Sequence, residues 1–389
     1  MCSSLSRSII VWNHVEEWPD LVLEQPEQQR LSATSVPCVG EMMPSFRTPL
    51  EQGVEVGAFP GAVCHLERGR QTVFSGAAGR LGWLEPFRAP ATTQTLYDLA
   101  SLTKIYTLSA ALCTLAQAKL APETTPLRAF LPGFDACLTL EHLMNHSSGI
   151  ARHLQTLENR PADSWVATLQ NEPLASAPGT QVNYNCSNYF LLARALEKLS
   201  GQTLDGLIAR YLLAPLRLEN TTFAPCDLAF VAPTEEKANG GFWHGQTHDE
   251  AARSWREQTG TCAGNAGLFA TASDVARFAS IWLLDGQASP LPAVWRARAT
   301  HHTLPEGSAS RGWGWQRDAA YYMGELPWPQ REKREFLIGH LGFTGTSLVL
   351  NPRAGEVAVI LSNRVHPSRG GPDRLPFVRA LHEAFWRGE

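Results

Sequence analysis

The alternation of apolar and polar positions places strands at both ends of the chain and helices between them. Near the start, Gly61-Ala62-Val63-Cys64-His65-Leu66 and Gln71-Thr72-Val73-Phe74-Ser75 flank Glu67-Arg68-Gly69-Arg70, which predicts a β-hairpin with a glycine-containing turn. Near the end, Thr346-Ser347-Leu348-Val349-Leu350 and Val357-Ala358-Val359-Ile360-Leu361 flank Asn351-Pro352-Arg353-Ala354-Gly355 and predict a second hairpin. A last segment, opening at Asp373, sets Phe377, Val378, Leu381 and Phe385 on one helical face.

The middle has a helical period. Ile105 through Lys119 is apolar almost all round, as a helix buried inside a protein would be. Asn188 to Leu199 carries Tyr189, Leu192, Ala195, Leu196 and Leu199 at helical spacing and stops at Gly201. Thr271-Ala272-Ser273-Asp274 before Val275-Ala276-Arg277-Phe278 reads as a capped helix start, a variant of the capping box. Strands at both ends around such a middle predict an α+β fold. Its antiparallel sheet is built from the two ends and flanked by helices, with an inserted all-helical subdomain. The boundaries fall at an N-terminal extension over 1–45, rich in Glu, Gln and Pro, and one domain over 46–389. Within that domain the sheet part spans about 46–100 and 305–389, and the helical part about 101–304.

Composition narrows the function. With 389 residues, 44% hydrophobic and 18% charged, a large core is possible. A net charge of -4 with scattered basic residues argues against a nucleic-acid partner. The apolar run Ile9-Ile10-Val11-Trp12 is too short for a signal peptide, and no stretch approaches the length of a membrane span. Eight cysteines with no C-x-x-C pair read as free thiols of a reducing compartment, so a cytoplasmic protein is expected. No Cys/His set has ligand spacing, and neither metal nor cofactor is expected.

Three short motifs carry chemistry. Ser101-Leu102-Thr103-Lys104 opens the apolar helix, so Ser101 and Lys104 sit at i and i+3 on one face, near the positive end of the helix. A serine hydroxyl needs a base beside it to become a nucleophile, and a lysine can serve only if its surroundings release its proton. Tyr184-Asn185-Cys186 follows Pro178-Gly179-Thr180; a tyrosine near a cation can shuttle a proton, although taken alone the residue reads as a core tyrosine with a satisfied hydroxyl. His340-Leu341-Gly342-Phe343-Thr344-Gly345 puts glycine at a strand edge, where a substrate can approach the backbone. The Phe343 and Ser101 N–H groups would then form an oxyanion hole.

Together and in this order, these segments resemble the serine β-lactamase and penicillin-binding protein superfamily, whose S-x-x-K, Y-x-N and K-T-G motifs line one site. Leu96-Tyr97-Asp98-Leu99-Ala100, Leu143-Met144-Asn145-His146-Ser147-Ser148-Gly149, Pro178-Gly179-Thr180 and Gly339 to Ser347 are similar to the branch holding class C β-lactamases, family VIII carboxylesterases and D-amino-acid-type peptidases. Thr247-His248-Asp249-Glu250 and Gly264-Asn265-Ala266-Gly267-Leu268-Phe269 resemble a loop pair of one subset. The resemblance covers roughly residues 50 to 385 and implies an antiparallel sheet with a helical subdomain beside it and the site between them. It implies Ser101, Lys104 and Tyr184 as catalytic residues, with Cys186, His340, Gly342 and Phe343 around the substrate. Which of Lys104 and Tyr184 is the base stays open.

Two positions depart from the pattern. Cys186 stands where Y-x-N has asparagine, and Asn188 is out of register. His340 stands where K-T-G has lysine, an imidazole mostly neutral at pH 7 in place of a permanent cation. Both changes weaken the fit to substrates carrying an amide and a carboxylate and leave ester hydrolysis intact. The expected substrate is a small-molecule ester or amide. A D-Ala-type carboxypeptidase or β-lactamase, an acyltransferase and a non-catalytic sensor are the alternatives. An α/β-hydrolase is excluded by the lack of a G-x-S-x-G elbow. His248-Asp249-Glu250 reads either as a rim group or as a loop stitched by its own hydrogen bonds. His301-His302 is expected to be exposed, and Trp313 and Trp315 to sit in the core or wall the pocket.

Overall fold

The computed structural model describes residues 44–284, 288–300, 311–317 and 337–387. The predicted 1–45 extension, but for its last two residues, and the His301-His302 pair lie outside them. Strands β1 (Gly61–Arg68) and β2 (Gln71–Gly79) form the first hairpin, a little longer than its apolar letters. Two-residue strands β3 (Tyr97–Asp98), β4 (Thr221–Thr222) and β5 (Phe269–Ala270) make a small sheet in the order β3-β5-β4. β6 (Ile338–Leu341), β7 (Ser347–Asn351) and β8 (Glu356–Ser362) follow, and the main sheet runs β2-β1-β8-β7-β6 with every pair antiparallel.

Strands β1 and β8, far apart in sequence, pair at the centre of this sheet, where Val63 meets Leu361 and His65 meets Val359. Side chains of a strand alternate between faces, and here both faces are covered. Val63, Leu348, Leu350, Val357, Val359 and Leu361 join the core shared with the helical part. Ala62, Cys64, Leu66, Val349, Ala358 and Ile360 pack on the other side against the Pro44–Glu55 and Leu375–Arg387 helices. Burial on both sides is why β1, β7 and β8 read as nearly unbroken apolar runs rather than as strict alternation.

The Thr103–Gln117 helix is buried from Thr103 to Leu115, as its all-round apolar surface requires. The Cys186–Ser200 helix is closed by Gly201 at φ +69°, a left-handed cap that glycine takes at little cost. Thr271 caps the Ala272–Ala279 helix, its side chain accepting the Asp274 N–H. Trp313 and Trp315 are fully buried.

Three expectations are corrected. Ser101 lies in a 3-10 turn, Ala100–Leu102, just ahead of the α-helix rather than in its first turn. The middle is not all helix: it carries β4 and β5, and its Ala272–Ala279 helix lies against β1 and β8. Val275 and Phe278 supply the apolar face that holds it there. The first sheet segment is preceded by the Pro44–Glu55 helix, whose Phe46 and Leu50 are buried one turn apart.

Candidate active site

Asp98 ends β3, and its carboxylate turns back on the chain that follows, accepting the Ala100 N–H at 2.8 Å. Ala100 is held at φ +46°, a strained value for a residue with a side chain. That bend presents Ser101, half-buried, to a cavity of about 610 Å³. One turn later Lys104 is completely buried, and its Nζ donates to Ser101 Oγ at 2.8 Å and to the Asn265 carbonyl at 3.1 Å. The Gly264–Phe269 loop is fastened to the same helix by Thr107 Oγ1 donating to Gly264 O and Leu268 N donating to Thr103 Oγ1.

Tyr184 enters the cavity from the loop before the Cys186–Ser200 helix. Asn183 N donates to His146 O and Asn185 N to His146 Nδ1, so the backbone is pinned on both sides of the tyrosine. The Asn185 side chain is then used up as a helix cap and as a donor to Ile150 O and Arg152 O. Lys104 Nζ lies 5.1 Å and the Arg311 guanidinium 4.8 Å from the centre of the Tyr184 ring, with the His146 and His340 rings at 4.5 and 5.9 Å. Two cations therefore face any negative charge that develops on the phenol.

The third motif closes the opposite wall. Gly342 N donates to Thr346 O and Gly345 N to Gly342 O, a turn in which the Phe343 amide takes no part. Thr344 Oγ1 donates to Asp98 O at 2.7 Å and Thr346 Oγ1 to Leu99 O at 3.0 Å, clamping this strand end to the serine turn. Phe343 is 48% exposed, and its ring lies along His248 with Arg364 and Arg369 beside it.

All six of the expected cavity residues, Ser101, Tyr184, Cys186, His340, Gly342 and Phe343, line this one space, and Lys104 lies beneath them. Asn188 does not join them; it is buried on Ser148 and His146. The His248-Asp249-Glu250 loop is held by hydrogen bonds and lies at the cavity. His248 bonds Glu235 at 3.1 Å, Asp249 caps the Glu250–Thr259 helix, and Glu250 pairs with Arg369, while all three face the cavity.

Sequence reasoning missed the arginines. Arg311, Arg364, Arg369 and Arg374 line the cavity from segments with no motif, and nothing in their local pattern marks them. Asp98 was visible only as part of the lead-in to Ser101.

Burial pulls the Lys104 ammonium down, but the ionisable Cys186 and Tyr184 beside it pull it up by more, so the net direction is upward. His340 and His146 go the other way. Burial first, then the charges of Arg311 and Lys104, hold both imidazoles well below their ordinary range and therefore neutral. Burial raises the Asp98 carboxyl, opposed by the N–H groups of His248 and Ala100.

Residues 46–383 match the family model described as Beta-lactamase. A putative D-alanyl-D-alanine carboxypeptidase of Escherichia coli K12 is 29% identical over 373 residues, 84% of this chain and 83% of that one. An N-acetylmuramyl-L-alanine amidase of Bacillus subtilis is 27% identical over 370 residues, 85% of this chain and 82% of that one. Among solved structures, a class C beta lactamase from Rhodobacter sphaeroides superposes with a TM-score of 0.69 at 18% identity, over 88% of this chain and 99% of that one. EstCE1, a hydrolase with promiscuous acyltransferase activity, gives 0.68 at 18% identity, over 87% and 97%.

Proposed function

Since the chain belongs to the Beta-lactamase family and is a serine hydrolase, we propose that it works through an acyl-enzyme on Ser101 and hydrolyses carboxylic esters or related small acyl compounds. One observation carries the reading: a completely buried lysine 2.8 Å from a serine hydroxyl that opens into a cavity beside a tyrosine.

Ser101 Oγ attacks the carbonyl carbon and gives up its proton to the Lys104–Tyr184 pair. An ammonium cannot accept a proton, so while Lys104 is charged the proton passes to Tyr184 as its phenolate, which becomes the phenol. Lys104 then steadies the oxygen it already touches. The N–H groups of Ser101 and Phe343 hold the oxyanion. Tyr184 returns the proton to the leaving group, and the same groups in reverse order let water release the acid. Cys186, in place of an amide side chain, favours esters over amides.

A second reading has its own support. Four arginines, Arg369 already paired with Glu235 and Glu250, face the cavity, so a substrate carboxylate would meet positive charge despite the missing third-motif lysine, and the relatives above are named as a carboxypeptidase and an amidase. Transfer to an alcohol in place of water is the third outcome on the same scaffold. Residues 46–389 then act as one catalytic domain. Six free cysteines among the described residues fit a cytoplasmic location. No helix among these residues is long and apolar enough to cross a membrane.

The test is turnover of p-nitrophenyl acetate and butyrate by the protein and its Ser101→Ala variant, with a chromogenic cephalosporin and an acyl-D-Ala-D-Ala peptide alongside. Ester turnover that disappears in the variant, with an acyl adduct on Ser101 by mass spectrometry, supports the reading. Peptide or cephalosporin cleavage far exceeding ester cleavage would favour the second. No turnover and no adduct would end it.

A further inference from the structure

His340 occupies the place where the resembling motif has lysine, and the structure fixes which of its nitrogens carries hydrogen. Its Nδ1 lies 2.9 Å from the carbonyl oxygen of Leu341. A carbonyl only accepts, so Nδ1 is the protonated nitrogen. In a neutral ring the other nitrogen, Nε2, then has a lone pair and no hydrogen. His340 lines the cavity, is 4% exposed, and its Nε2 is buried without a hydrogen-bond partner among the described residues. Buried polar atoms without partners are uncommon and need a reason.

The surroundings keep the ring neutral. Lys104 and Arg311 bring positive charge from two other elements, the Tyr184 ring lies 5.9 Å from it in the loop before the Cys186–Ser200 helix, Cys186 at the start of that helix lines the same cavity, and His146 lies beyond Tyr184. A second proton on His340 would add charge to a region already holding two cations. His146 is fixed in the opposite sense: its Nδ1 accepts the Asn185 N–H, which leaves its hydrogen on Nε2. Arg311 brings donors to this cavity, and His340 supplies an acceptor.

We infer that His340 binds substrate as a neutral hydrogen-bond acceptor, so that this point of the cavity takes a group carrying N–H or O–H, such as a carboxamide or a hydroxyl, and not a carboxylate. The polarity of the position is inverted relative to a lysine. The inference rests on the hydrolase reading and narrows its substrates to acyl compounds that present an uncharged N–H or O–H donor to this point of the cavity. Any carboxylate elsewhere on the substrate falls to the arginines.

The test uses two esters that differ only in that group, O-acetylglycolamide and O-acetylglycolate, with the full chain and its His340→Leu and His340→Lys variants. The carboxamide-to-carboxylate ratio of kcat/KM is expected to fall roughly tenfold in His340→Leu, the loss of one hydrogen bond, and further in His340→Lys. A ratio that stays level or rises in His340→Leu overturns the inference. The ring itself is read separately by 15N NMR of the labelled wild-type protein, whether or not it turns anything over. A proton on Nδ1 and none on Nε2 is the expected state; the reverse, or a doubly protonated ring at neutral pH, overturns it. Absence of turnover and of a Ser101 adduct with the expected tautomer present would instead point to failure of the hydrolase reading.

Discussion

The carboxylate of Asp98 accepts the N–H of Ala100 at 2.8 Å and thereby fixes the left-handed bend that precedes the nucleophile. Its second oxygen accepts the His248 N–H at 2.7 Å, and its own carbonyl accepts Thr344 Oγ1. One residue therefore ties the serine turn to two other walls of the cavity.

An Asp98→Asn variant, though isosteric, is expected to be severe. Both carboxylate oxygens accept N–H bonds, and an amide would aim its own N–H₂ at one of those donors. A stability loss of about 1–3 kcal/mol and a drop in kcat of more than tenfold should follow. Chemical denaturation and steady-state kinetics measure the two. An Asn variant with wild-type kcat would remove Asp98 from this role.

Gly342 is close to both the serine turn and its own strand end. A Cβ added there would fall on Thr346 Oγ1 and lie 2.6 Å from the Leu99 carbonyl. Gly342→Ala should cost about 1–3 kcal/mol and push the third motif away from Ser101. Gly370→Ala is the control, since its nearest new neighbour is 3.9 Å away. Equal melting temperatures for the two variants would contradict the close approach.

Cys186 lines the cavity at the position where the Y-x-N motif has asparagine. Cys186→Asn is expected to raise the amide-to-ester ratio of kcat/KM roughly tenfold by supplying a donor and an acceptor to a substrate amide. Parallel loss on both substrate types would mean that the thiol matters only for packing.

Acid should weaken the fold from well above the carboxylate range. His382 is fully buried against Ser347, and burial, helped by the charge of Arg374, lowers its pKa from 6.5 to about 3. A base held neutral in the folded state contributes stability that is complete above the unfolded pKa and is lost as pH falls toward the folded one. The window is therefore about 6.5 down to 3, with a slope near 1.4 kcal/mol per pH unit for one group. His146 and His340 act in the same direction. Urea unfolding between pH 7 and 4 should show the decline, and His382→Leu should flatten it by about one group's slope. An unchanged slope in that variant would rule His382 out.

Most of the sheet was legible because each hairpin is local: two apolar runs and a turn lie within one stretch of letters. Ser101 and Lys104 were legible because their bond spans three residues. Beyond such distances the pattern fades. Arg364, Arg369 and Arg374 reach the cavity from more than 200 positions beyond Ser101, and only folding brings them there. The Pro44–Glu55 helix was missed because Pro49 interrupts a pattern that Phe46 and Leu50 otherwise announce. Ser101 was placed half a turn too deep in its helix, since Asp98 draws the chain into a tighter turn first. The tautomer of His340 depends on a contact with its own neighbour's carbonyl, which no letter encodes.

The pairing of β1 with β8 also bears on how the protein is made. Ala62 meets Ser362 across the sheet, so a strand completed early in synthesis waits for one completed near its end. A nascent chain can already hold Ser101, Lys104, Tyr184 and His340 while β1 lacks β8 and the β6–β7 pair has no strand to link it to β1. Closing so long a loop is slow, and a sheet left with open edges is exposed to association while it waits. Premature stop codons anywhere before residue 356 should therefore yield insoluble chains, not partly active ones.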